Sequence, residues 1–193
     1  MNVKGITNIK ILRVKRNSII FTPKTHIWCI LPYPGHKNGC PNYDKNPLCP
    51  PNIKTMENYL NGYSFFYLIY AIFNIFEYKT YMLNKHPDWS DRKARCLLYW
   101  QNSVKKLLKN YIINLYLTNL DCSLYLFGSG SGDKIHSIKQ EKVYSMEAVG
   151  INVIQTLINN KIKIEVKPIK FIHIVNLLCS DKEVKLINEN LES

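Results

Sequence analysis

Arginine is scarce in this chain: Arg13, Arg16, Arg92 and Arg95 are the only four among 26 basic residues. The rest of the net charge of +12 is lysine, in a sequence crowded with Asn, Ile and Tyr. That is the bias of AT-rich coding, which spreads lysine everywhere without building a binding face. Long apolar runs are also lacking. The longest, Tyr63 to Phe76, has about 14 residues against the roughly 20 that a transmembrane helix needs, which argues against membrane insertion. Residues 1–16 are charged and hold no apolar stretch of the export type, so the six cysteines are expected in a reducing, cytoplasmic compartment. No C-x2-C knuckle, internal repeat or heptad is present. With 193 residues and 46% hydrophobic composition, the chain is long enough for one domain with one core.

What is present is concentrated near the N-terminus. Cys29, Cys40 and Cys49 punctuate a stretch holding Pro32, Pro34, Gly35, Gly39, Pro41, Pro47, Pro50 and Pro51. Proline removes a backbone donor and glycine loses much freedom on ordering, so residues 23–53 are read as an irregular loop. Loops of that length need an organiser, and a metal held by thiolates supplies one. The spacing Cys29-x10-Cys40-x8-Cys49 names no metal. Two alternatives stay open. His26 or His36 can complete a zinc site of three Cys and one His, with Cys122 as a further candidate fourth ligand. Three thiolates without a fourth instead leave one iron of an iron–sulfur cubane open to a substrate, and this is the preferred cofactor, with zinc second. Cys96 and Cys179 sit in apolar contexts and are read as core residues.

The same residues carry a resemblance. Trp28-Cys29-x-Leu31-Pro32-Tyr33-Pro34-x-His36, Cys40-Pro41-Asn42-Tyr43 and Cys49-Pro50-Pro51 are similar to the cysteine loop of an uncharacterised "predicted metal-binding protein" family of bacteria and archaea. His86-Pro87-x-Trp89-Ser90-Asp91, Tyr99-Trp100-Gln101-Asn102 and Ser145-Met146-Glu147-Ala148-x-Gly150-Ile151-Asn152-Val153 resemble its later blocks. The resemblance runs over residues 26–178 and implies a metal on the cysteine loop. Asp44 stands where that pattern usually has glycine. The second cysteine cluster common before the S-M-E-A block is absent, which removes the basis for a second metal site.

The rest of the chain reads as an α/β or α+β fold, a mixed sheet with helices packed on it, in one domain: cysteine loop 23–53, core 54–180 and C-terminal tail 181–193. Strands are expected at 17–22, 63–73, 123–127, 162–167 and 170–178. Helices are expected up to residue 84, from the cap Ser90 through the apolar stripe Leu97, Trp100, Val104, Leu107, Leu108, Tyr111 and Leu115, and at 145–160. Gly128-Ser129-Gly130-Ser131-Gly132 follows a strand but lacks the Gly-Lys-Ser/Thr ending of a phosphate loop, so it is read as a connector.

Glu147, at the start of the last helix, is the carboxylate best placed to act as a base or to support a metal ligand, although helix capping explains it equally well. Basic residues are denser in two places, Lys10, Arg13, Lys15 and Arg16 near the start and Arg92, Arg95, Lys105, Lys106 and Lys109, which lie largely off the apolar stripe. Two functions follow. The first is a cytoplasmic metalloprotein with an iron–sulfur cluster or zinc and an open coordination position. The second is a basic module binding RNA or DNA, in which the metal is purely structural.

Overall fold

A computed structural model of the chain describes residues 2–33, 35–130, 140 and 142–187. Four strands, β1 (Thr7–Val14), β2 (Phe65–Asn74), β3 (Leu124–Phe127) and β4 (Phe171–Ser180), form one sheet in the order β1-β2-β4-β3. Every neighbouring pair is antiparallel: Thr7 faces Phe73, Phe65 faces Ser180 and Leu124 faces Ser180. The fold is therefore α+β, and the mixed sheet gives way to an antiparallel one. The apolar run of β2 requires only that both of its faces be covered, whatever the strand direction.

Both faces are covered. Helices α1 (Lys24–Trp28), α2 (Ile75–Lys85), α3 (Asp91–Ala94), α4 (Gln101–Thr118) and α5 (Val153–Asn159) lie between the strands in sequence. Val104, Leu108, Tyr111, Ile112 and Leu115 of α4 pack with Tyr67, Ile69 and Phe73 of β2 and with Ile174 and Leu178 of β4. On the opposite face Phe66, Leu68, Tyr70, Val175, Leu177 and Cys179 meet Met146, Val149, Ile151 and Leu157. Alternation along β2 thus sends successive side chains into two apolar clusters.

Several elements differ from the sequence expectation. β1 lies at Thr7–Val14 rather than at 17–22, where a short 3-10 turn leads to a single bridge between Phe21 and Ile151. An edge strand has one partner only, and its exposed Asn8, Lys10 and Arg13 disguise it as a basic tail. The long helix expected after Ser90 is interrupted. Ser90 does cap α3, accepting from Lys93 N–H at 3.2 Å, but the chain then turns so that Trp100 can stack on Phe73 at 4.6 Å. Leu97 consequently faces solvent. The helix expected at 145–160 is cut by Gly150, whose φ of 97° is left-handed. Residues 162–167 form no strand, because the Glu165 carboxylate accepts from the N–H groups of Ile169, Lys170 and Phe171 and folds that segment into a turn. The C-terminal segment is docked as far as it is described, with Val184 buried and Lys185 bonded to Asn119.

After the Gly150 turn, Asn152 restarts the helix. Its side chain accepts from Gln155 N–H at 3.1 Å, and its own N–H reaches Ile20 O at 2.8 Å. Asn152→Ala removes the cap and keeps the backbone bond, so it is expected to cost about 1 kcal/mol, read as a lower urea midpoint at unchanged slope.

Candidate metal centre

The cysteine segment is fixed to the core through its first residues. Thr22 N–H donates to Gly150 O at 2.8 Å, Thr25 is buried with its hydroxyl on Thr22 O, and His26 Nε2 lies 2.7 Å from Ala148 O. These contacts make α1 a short helix inside the expected loop. The sequence permits it, because Pro23 stands just before the first turn and no proline falls within Lys24–Trp28. Cys29 closes α1 with its thiol 3.7 Å from Thr25 O.

From there the chain folds back on itself. Gly39, at φ 79°, packs so closely that a Cβ would press into Cys29 O and lie 2.8 Å from Ile30 Cα. The next residue, Cys40, donates its N–H to Cys29 O at 2.7 Å. Two of the cysteines are therefore tied backbone to backbone. A further turn brings in Cys49: Asp44 N–H bonds Pro50 O at 2.9 Å, and Asn46 accepts from Leu48 and Cys49 N–H. Asp44, where the resembling pattern has glycine, is left-handed at φ 59°. Aspartate tolerates that region better than most side chains.

Charge brings the cysteines into one group. Burial raises the Cys29 thiol above its ordinary pKa, and Cys40, Cys49 and Glu147 raise it further. Glu147 is itself pushed up by burial, while its backbone hydrogen bond and Lys105 oppose the shift. Lys105 turns inward from α4 and donates to Ser129 O at 3.1 Å. Cys40, Cys49 and Glu147 thus each lie within electrostatic reach of Cys29, and Lys105 within reach of Glu147. A cleft of about 480 Å³, lined in part by His36, Cys40, Tyr43 and Lys45, opens beside them. Among the described residues, no three His, Cys, Asp or Glu side chains form a ready coordination shell. The donor chemistry nonetheless suits a cation, because thiolates are metal ligands and a bound metal charge favours their deprotonated form.

The fourth-ligand candidates are placed differently. His26 has Nε2 engaged with Ala148, and His36 is exposed in a tight bridge with Tyr33, ring centroids 4.7 Å apart. Cys122 lies before β3, at the end remote from Gly128, with its thiol 3.9 Å from Asp121. The block holding Glu147 joins the other end, where Gly128 bridges Ser145. Pro34, Ser131 and Gly132 lie outside the described residues.

The five basic residues divide between α3 with its cap and α4, where Lys109 is half-buried. Arg92 belongs to α3, which Arg95 caps, with Arg95 ion-paired to Asp91; Lys105 turns inward, and Lys106 is exposed on α4. Lys105 also has a contact that sequence reasoning missed, its hydrogen bond to Ser129 O. Its signal is its place next to buried Val104, at the margin of the apolar stripe, where a lysine stem can run inward.

A family profile described as "Predicted metal-binding protein (DUF2284)" matches residues 13–178. No curated protein and no solved structure matches the chain. Among the described residues, no helix is long and apolar enough to cross a membrane.

Proposed function

Because the chain belongs to this predicted metal-binding family, we propose that Cys29, Cys40 and Cys49 hold its metal as an iron–sulfur cluster, with zinc as the alternative. The protein acts in the cytoplasm, where thiols stay reduced. The observation that carries the reading is the fold-back of the cysteine segment, in which Cys40 N–H bonds Cys29 O at 2.7 Å and the bond from Asp44 N–H to Pro50 O closes the turn that holds Cys49. A cluster held by three thiolates supplies an iron with a free coordination position, and zinc on the same ligands supplies a Lewis acid. The chain's own residues do the rest. Cys40 opens onto the adjoining cleft, which admits a small molecule. Glu147 is a carboxyl whose burial favours the protonated form, so its oxygens can deliver or accept a proton beside the site. Lys105, fixed by Ser129 O, holds a positive charge behind it.

Elemental analysis of anaerobically purified protein tests the reading. Wild type should hold three to four irons with acid-labile sulfide, or about one zinc, per chain. The variant with all three cysteines changed to serine should hold none. Glu147→Gln should keep the metal, because the carboxylate serves beside the site and not as a ligand. Equal, negligible metal in wild type and the triple variant after reconstitution would sink the proposal.

A further inference from the structure

Two sequence blocks take no part in the cysteine site, and the fold brings them together elsewhere. His86 stacks on Trp89 at 4.3 Å and Trp89 on Tyr99 at 5.1 Å, while the neighbouring Trp100 is buried and donates through Nε1 to Arg95 O at 3.2 Å. This framework holds residues 91–97 beside the segment that precedes β4. Arg95 crosses the gap to Pro168 O at 3.4 Å.

Between them opens a cleft of about 520 Å³, lined by Ile75, Arg92, Arg95, Leu97, Lys167 and Ile169 among others. Its size is that of a small-molecule site, and a polyanion would call instead for a row of cations along a surface. The apolar lining is wet: Leu97 is 51% exposed and Ile169 70%.

The charges are unbalanced. Arg13 pairs with Glu183, Arg16 with Glu57 and Arg95 with Asp91, which also binds Lys79 at 2.7 Å. Arg92 and Lys167 have no carboxylate partner among the described residues. Asp91, next to Arg92, is engaged by Lys79 and Arg95, and Glu165, the acid nearest Lys167 in sequence, is committed to three backbone N–H groups. A concave surface with exposed apolar walls and two unmatched cations is complementary to one ligand chemistry.

We propose that this cleft binds a small anion carrying an apolar group, a carboxylate or phosphate monoester with an acyl or aryl tail. Arg92 and Lys167 take the anionic head, and Leu97, Ile169 and Ile75 cover the tail. The site is independent of the metal reading.

Calorimetric titration of the full chain decides. Octyl phosphate and octanoate are the probes, with octanol, inorganic phosphate and a short single-stranded RNA as comparators. One molecule of octyl phosphate or octanoate should bind per chain, the tighter of the two identifying the head group, and octanol and inorganic phosphate should each bind at least about tenfold more weakly. Arg92→Glu with Lys167→Glu should weaken the probe about tenfold or more, and Leu97→Ser with Ile169→Ser should also weaken it. Lys106→Glu, an exposed change on α4, should not. All these positions are exposed, so folding is preserved and circular dichroism verifies it. Octanol binding as tightly as octyl phosphate would reduce the cleft to an apolar patch, and inorganic phosphate doing so would reduce it to a bare anion site. Unchanged affinity in the double charge reversal, or RNA displacing the probe at lower concentration, would also overturn the proposal.

Discussion

Removing the metal with a chelator is expected to make the cysteine segment cleavable by trypsin at Lys37 and Lys45, while the strands and helices after Tyr63 stay resistant. Ordering residues 23–53 costs about 1–2 kcal/mol per residue in backbone entropy alone. Little apolar burial offsets that. Thr25, Gly39, Cys49 and Pro50 are the buried residues of the segment, whereas Ile27, Trp28, Ile30, Leu31 and Tyr33 face solvent. A coordinated metal contributes what packing does not. Lys24 should be cut later than the other two, because Thr22, Thr25 and His26 are bonded to the core by contacts that do not involve the thiols. Hydrogen exchange gives the same test without a protease. Equal protection of the segment with and without metal would mean that packing holds it.

Gly39→Ala should lower the metal content to that of the triple cysteine variant and leave the sheet intact. The added methyl has nowhere to go. It meets backbone, the Cys29 carbonyl and Ile30 Cα at 2.8 Å, and not the free end of a side chain. Moving away breaks the 2.7 Å bond from Cys40 N–H to Cys29 O, which sets the distance between two of the thiols. The left-handed φ adds roughly 1–2 kcal/mol of strain for any L side chain. Gly35→Ala separates the two effects. Gly35 has φ 87° but nothing within 4 Å of its added Cβ, so this variant carries the strain without the clash and should keep its metal. Elemental analysis of both variants beside wild type is sufficient. Full metal loading of Gly39→Ala would show that the Cys29–Cys40 contact does not set the site.

The elements legible in the sequence were those decided by burial. The run of β2 and the stripe Val104, Leu108, Tyr111 and Leu115 of α4 lie in the core because no polar residue interrupts their period. Ser90 caps a helix because its side chain reaches the free N–H group three residues on. What was illegible depends on partners distant in sequence. β1 looks like a charged tail until β2 pairs with it. The residues after Gly150 continue a helical period that the glycine's positive φ interrupts. In the site, the cysteine cluster and Glu147 were visible as residue types within motifs. Lys105 was not, because its inward turn is fixed by a carbonyl on the far side of β3, and spacing along α4 carries no trace of that carbonyl.

The attachment of α1 to the Ala148–Gly150 turn has a consequence in time. The bond from His26 to Ala148 spans 122 residues. During synthesis all three thiols leave the ribosome well before the residues that will anchor their segment, since chains grow from the N-terminus at about 5–20 residues per second. The newborn segment therefore waits as a tethered length of chain with nothing to dock on. Its anchor is complete only after β3 has been made and Gly128 has engaged Ser145, so the segment docks after most of the chain has been synthesised.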